Sequence, residues 1–546
     1  MVSVSNHLSS IEVTNLDHLG IVAGLIDEIG LVEQINELVV EQAGEKVSPG
    51  HAVKAMILNG LGLFSSPLYL FPKFFEGKPT EHLIGEGIQA EHLNDDRLGR
   101  VLDKLYLTGL EDIFLSIALK AVQKFSIGAE SIHLDSSSLS VEGEYENTLI
   151  EEAKVEVNSE EGEKRNPPQQ IQITYGYSRD KRPDLKQFMV DLIGSGDGDI
   201  PLFLRTGSGN ESDQKIFPEI FKQFRNQVNF DSLMVADRAL YTAENLKQMQ
   251  DLKWLTRVPF RLKPAQALAR QIKSSQMSSS SLEGYRYSIH QRTSGGIEQR
   301  WLVVESEERK ESDQKRLLKK IEKERLEGEK QLRQLSRQTY ACVPDAIKAV
   351  KKLEKKFKYH QISQIETREE NNNHRKQARV KVQADLEENL ALIQEEKQLA
   401  GRFLLATNVL DEAELSPNQM LIEYKEQQST ERGFRFLKDP MFLADSIFIK
   451  SPERIQAMVL ILGLCLLIYN LGQRELRSAL VRRGEMVKNQ LGKETNSPTL
   501  RWIFQQFQAV HLLKFRGENE VSNLTEERLN LLQLFPKPCQ QYYLLV

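Results

Sequence analysis

Through most of the first 125 residues, apolar side chains recur at three- and four-residue intervals, as on one face of an α-helix. "VAGLIDEIGLVEQINELV", "VSPGHAVKAMILNGLGLF" and "LNDDRLGRVLDKLYLTGLEDIFLSIALKAVQKF" carry this period, and Ser48-Pro49 is a helix start signal. Residues 1–125 therefore read as a helical N-terminal domain. It reads as a packing domain, with duplex binding through cations such as Arg97, Arg100 and Lys104 as the alternative. From about residue 129 the period shortens. "ESIHLDSSSLSVEG" alternates as a strand does, "QIQITYGYSRDKRPDLKQFMVDLI" predicts two strands around a polar turn, and "IPLFLRTGS" predicts another. "FPEIFKQFRNQV" is helical, "SLMVADRALY" is a buried strand ending in an acid, and "TAENLKQMQ" and "KWLTRVPF" add a helix and a strand. The fold class is α/β, with a mixed sheet flanked by helices over 126–260.

That pattern breaks over 261–400, an insertion. "YRYSIHQRTSGGIEQRWLVVES" predicts a hairpin turning at Ser294-Gly295-Gly296. Residues 307–398 are rich in Lys, Glu, Gln and Arg with sparse apolar positions, which predicts long solvated helices forming an arm, with DNA or partner contact as the alternative. "GRFLLATN" resumes the strand texture, so 401–475 completes the core, and 476–546 reads as a helical C-terminal region.

A chain of 546 residues is too long for one hydrophobic core. The net charge of −5 excludes a generic polycation, so nucleic acid would have to be met by local basic patches. Cys342, Cys465 and Cys539 show neither disulfide nor zinc-ligand spacing, which suits a reducing cytosol. The N-terminus lacks the pattern of a signal peptide, and the apolar run at 455–473 is interrupted near its ends by Gln456, Asn470 and Gln473. It reads as a buried core helix, with no membrane partner.

Three acids carry the candidate chemistry. Asp135 follows "SIHL" and Asp237 closes "SLMVA", both where an apolar strand meets a polar stretch, the usual place for ligands in open α/β sheets. Each alone also reads as a turn or cap residue. In "YKEQQSTERGFRFLKDP", at 424–440, Glu431 shares a helix face with Tyr424, Gln427, Arg435 and Lys438, while Phe434 and Leu437 are suited to anchoring the helix. In isolation that stretch is a solvated face with ion pairs. Three carboxylates together offer oxygen ligands to two divalent cations, the arrangement that clamps an in-line phosphoryl displacement.

The words "HLDSSSLSVEG", "YGYSRDKRPDLKQ", "GNESD", "VADRALYTAENL" and "YKEQQSTERGFRFLKDP", in that order, resemble the DDE transposases of the IS4 superfamily, most closely the IS1634-like group. The resemblance covers 129–260 and 401–470 and, more loosely, the N-terminal region. It implies an RNase H-like catalytic core carrying an insertion before the last catalytic helix. It implies Asp135, Asp237 and Glu431 as catalytic and metal-binding acids, with Mg2+, or alternatively Mn2+, as cofactor. Tyr424, Glu431 and Lys438 match the family's signature, whereas Gln427 stands where an Arg associated with DNA phosphate is expected. Arg432 and Arg435 are the candidate replacements.

Arg238, beside the second acid, is a candidate to orient it or touch phosphate, and equally a surface Arg. Trp301 is the candidate to stack on a flipped base, with strand packing as the competing reading. His133 shares a face with Asp135 and reads as structural, because one His does not define a metal site. Lys181 and Arg182 read as a solvated turn tip. The resemblance further implies double-stranded DNA partners (terminal inverted repeats and target), a homodimeric synaptic complex, and a cytoplasmic, nucleoid-associated location. The alternatives are a catalytically silent, transposase-derived DNA-binding protein and a scaffold built on the charged arm.

Overall fold

The structure, a computed structural model, describes residues 11–40, 44–63, 70–143, 145, 168, 170–228, 230–370, 379–438 and 451–545, with the backbone alone for 370 and 428–431. Two compact units are distinct: Met1–Trp254 with Glu423–Val546, and Leu255–Ile422.

In the first unit, β1 (Ser131–Val141) lies between β2 (Lys186–Ser195) and β4 (Leu233–Ala236), and β3 (Pro201–Ser208) lies outside β2. β1, β2 and β3 run antiparallel in turn, and β4 is parallel to β1, so the sheet is mixed. Helices α1 (Leu110–Phe125), α2 (Asp213–Gln227), α3 (Pro417–Glu426), α4 (Gln428–Leu437) and α5 (Pro452–Arg483) follow in chain order, and the boundary between units falls inside α3. The segment "QIQITYGY" is not a strand; only Thr174 bridges, to Gln187. Residues Phe188–Gly194 of β2 already hold β1 on one edge and β3 on the other, so the ladder has no open edge beyond Gln187.

The N-terminal region is helical over Leu19–Ile29, Leu31–Leu38, Pro49–Gly60 and Asp95–Thr108, with Ser48 capping the third of these. Arg97 and Lys104 both pair with Glu45 inside the fold, which takes these two cations from the set offered to DNA. The C-terminal region is helical only in part. His511–Phe515 pairs with both Glu12–Asn15 and Glu518–Ser522, its hairpin turning at Arg516 and Gly517, both at positive φ. The two ends of the chain also meet where a Cβ on Gly24 would lie 2.3 Å from the backbone of Cys539, a close approach that requires glycine. α5 is long and apolar enough to cross a membrane, yet its apolar stretch is buried in the core, matching the core-helix expectation.

His18 illustrates the cost of that core. Its Nε2–H donates to the Leu61 carbonyl at 2.8 Å, and its ring stacks on Phe504. Burial pushes the imidazole down to about 4 from an ordinary value of 6.5, against the opposing hydrogen bond to Leu61. Between those values the unfolded chain binds the extra proton, so stability is lost as pH falls from 6.5 towards 4. Urea denaturation is expected to show about 2 kcal/mol less stability at pH 5 than at pH 7 from this group. His18→Gln should remove that share of the difference.

In the second unit, β5 (Trp254–Val258), β6 (Tyr285–Ser294), β7 (Ile297–Ser306) and β8 (Arg402–Thr407) form an antiparallel arrangement with β8 between β5 and β7. The hairpin β6–β7 turns at Gly295 and Gly296, both at positive φ, as a two-residue turn matched to strand twist requires. The arm is helical over Glu307–Ser336 and Val343–Glu354, but His360–Glu370 and Arg379–Glu388 form an antiparallel ladder where helix is expected. Ile362, Val380 and Val382 bury apolar side chains against Val350 and Leu353, so β-branched residues at alternate positions prevail over the charged composition.

Candidate active site

Asp135 and Asp237 are brought together by strand pairing. The parallel register aligns Leu134 with Ala236, so the next residue on each strand is an acid, on neighbours about 4.8 Å apart. Asp135 Oδ1 accepts the Ser136 amide at 2.9 Å, and Asp237 Oδ1 accepts the Ala239 amide at 2.7 Å, tethering the first carboxylate within β1 and the second just past the end of β4. Asp237 is therefore a turn residue as well as a candidate ligand.

The third acid stands on a helix packed over the same sheet face. A Cβ on Gly433 would lie 3.3 Å from Leu192, the direct cross-strand partner of Asp135, and 3.3 Å from Leu466 of α5. Phe434 and Leu437 are buried in the core, as the anchoring expectation has it. Glu431 lies within α4, two residues before Gly433; its side chain, and the motif's last residues Asp439 and Pro440, lie outside the described residues. Phe434→Ala is expected to cost about 3–5 kcal/mol locally, because a buried ring is lost from a short helix. Faster hydrogen exchange across 428–437 would report it.

Two residues that sequence reasoning passed over complete the electrostatics. The Arg179 guanidinium lies 3.7 Å from Asp135 and is hydrogen-bonded to Asp213. Burial raises the Asp213 carboxyl, Arg179 opposes the rise, and the Asp237 carboxylate adds to it, so Asp213 belongs to the same charged neighbourhood. Both stand in quoted words, "YGYSRDKRPDLKQ" and "GNESD", but nothing local tells that they converge. Next to Arg179, Asp180 accepts two hydrogen bonds from Lys438 Nζ, at 2.7 and 2.9 Å, and ties this loop to the end of α4. Arg182 pairs with Asp184 at the surface, in line with a solvated tip.

On the opposite sheet face a buried polar ladder crosses three strands. Ser136, Asp191 and Arg205 are successive register partners; the Ser136 hydroxyl donates to Asp191, and Arg205 reaches Asp191 at 2.7 Å and Glu211 at 2.9 Å. Burial raises the Asp191 carboxyl despite Arg205 and Ser136. For Arg205, burial is outweighed by Glu211 and Asp191, which hold the guanidinium charged.

The other predicted residues fall as follows. Tyr424 is half-buried on α3, and Gln427 is 8% exposed at the junction of α3 and α4, a position that offers little surface to phosphate. Arg435 and Arg238 are exposed, and Arg432 is exposed and pairs with Asp199 at 3.3 Å. Trp301 belongs to the second unit; it is 3% exposed in β7, with its indole N–H donated to Gln299, so the sheet occupies the faces a base would need. His133, two residues before Asp135, is buried, and its Nε2 lies 3.7 Å from Glu423 Oε2 of α3. Burial raises the Glu423 carboxyl, but the nearby imidazole and the Ser131 hydroxyl draw it below its ordinary value.

Carboxylates that follow an aligned strand pair suit a hard divalent cation, and Arg179 places positive charge beside Asp135, where such an ion would also be attracted. Residues 11–119 match a family model described as a domain of unknown function, DUF4277. No curated protein sequence matches the chain. Among solved structures, a piggyBac transposase synaptic complex with hairpin DNA is similar over 92% of this chain and 83% of that one, at 10% identity and a TM-score of 0.36.

Proposed function

We propose that the chain is a DDE transposase of the IS4 superfamily, IS1634-like group, with an RNase H-like core that cuts and joins DNA at terminal inverted repeats. The observation that carries this reading is the parallel register of Leu134 with Ala236, which puts Asp135 and Asp237 at the next position of each segment, on the sheet against which the helix bearing Glu431 packs. The strand order β3-β2-β1-β4, antiparallel through β1 and parallel at β4, supports the RNase H-like assignment. Asp135, Asp237 and Glu431 would hold Mg2+ or Mn2+, which supplies activation of a water or 3′-hydroxyl and neutralises charge on the phosphate.

A water oxygen forms the new bond to phosphorus and the 3′-oxygen leaves as a hydroxyl; that hydroxyl then attacks target DNA by the same displacement. Arg179, beside Asp135, is positioned to steady phosphate charge, and the exposed Arg435, Arg432 and Arg238 supply backbone contacts whose binding falls steeply with salt. Two copies of the chain would pair two transposon ends.

The test incubates the purified chain with duplex carrying its element's own terminal repeats, with and without Mg2+. Metal-dependent nicking at the repeat ends is the expected result. Specific binding without cleavage favours the catalytically silent DNA-binding protein, and neither binding nor cleavage overturns the reading.

A further inference from the structure

We propose that His133, Glu423 and Glu426 form a second divalent-metal site, of the Zn2+ class, separate from Asp135, Asp237 and Glu431. One ligand atom from each of the three lies within 4.8 Å of the others, and among the described residues no other set of three or more His, Cys, Asp or Glu does so. Glu423 and Glu426 are three apart on α3 and so share a helix face, which places two carboxylates against one imidazole.

A second observation points to a ligand. The Glu423 Oε2 that faces Nε2 of His133, a side chain 1% exposed, is itself sealed from solvent without a hydrogen-bond partner. The Ser131 hydroxyl lies 3.4 Å from the same Nε2. A buried acceptor and a buried imidazole 3.7 Å apart are too distant for a hydrogen bond. They are close to the separation of two ligands on one ion, roughly 3–3.5 Å for metal–ligand lengths of about 2.0–2.2 Å. One imidazole with two carboxylates is a borderline donor set that suits Zn2+ better than Mg2+ and leaves a fourth position for water.

The ion would fasten α3, which leads directly into the Glu431 helix, onto β1 two residues from Asp135. His133 and Asp135 point to the same face about 6.6–7 Å apart along the strand, so the two sites are neighbours without sharing a ligand.

The test uses the full chain carrying Asp135→Asn, Asp237→Asn and Glu431→Gln together, freed of metal by chelation and titrated with ZnCl2. Calorimetry and metal content after dialysis are expected to give about one zinc ion per chain, with Tm rising as zinc is added. Glu426→Gln, at an exposed position, and His133→Gln should each weaken binding by about tenfold or more and abolish the Tm rise. Zinc that the triple variant fails to retain but the wild type binds would assign the ion to Asp135, Asp237 and Glu431 and overturn the proposal. So would absence of binding to both, or unchanged binding in Glu426→Gln. None of these readouts involves DNA, so the outcome is independent of the transposase reading.

Discussion

Replacing Asp135 or Asp237 by Asn, or Glu431 by Gln, is expected to lower metal-dependent strand cleavage by about 10³-fold or more while leaving the fold intact. On the proposed transposase reading each change would remove one anionic ligand, and metal-based stabilisation of a phosphoryl transition state is worth several kcal/mol, hence about three powers of ten. Asn retains an oxygen able to accept the Ser136 amide at 135 or the Ala239 amide at 237, so both positions keep their local hydrogen bonds. Thermal melting separates the two effects. A cleavage loss with Tm within a few degrees of wild type is the expected pair of results. Full activity in any of the three variants would remove that acid from the catalytic set, and full activity in all three would end the three-acid reading.

A large loss of global stability is expected at Arg205→Ala. This change leaves Asp191, 1% exposed on β2, without the cation 2.7 Å away, and leaves Glu211 without its partner. Removing one member of a buried pair typically costs about 3–5 kcal/mol, because the other charge stays desolvated. Denaturant titration at neutral pH should show a loss of that size, and Asp191→Leu with Arg205→Met should recover most of it.

The pH dependence has a definite sign. Burial holds the Asp191 carboxyl above its ordinary value of 3.8, so the penalty for its charge is present above the raised folded value and is relieved as pH falls through it. The Arg205→Ala deficit should therefore shrink towards low pH. A deficit that stays constant with pH would mean that lost packing, and not the uncompensated carboxylate, sets the cost.

Much of the local structure is legible in the sequence because it arises from short-range period. "SIHLDSSSLSV" alternates and forms β1; "GRFLLATN" and the Gly295-Gly296 hairpin form as read; Phe434 and Leu437, three apart, anchor their helix. The misreadings have one physical origin. "QIQITYGY" has strand texture but β2 has no free edge to receive it, and the arm's charges conceal the alternation at Ile362, Val380 and Val382. In each, the deciding partner is remote in sequence. Trp301 is similar: the residue type suits a stacking platform, and its neighbours on β6 and β8 bury it.

By itself, then, the sequence determined where most strands and helices lie, that Asp135 and Asp237 each follow an apolar strand run, and which residues pin the Glu431 helix, since these depend on patterns within a few turns or pleats. Only the tertiary structure decided that β1 and β4 run parallel in a register that levels Asp135 with Asp237. It alone turned Arg179 towards Asp135 and Asp213, closed the Ser136–Asp191–Arg205 ladder, and set Glu423 and Glu426 against His133. The reason is that pairing and burial are chosen by the free energy of the whole packed chain, and no local pattern records which distant segment will supply the partner.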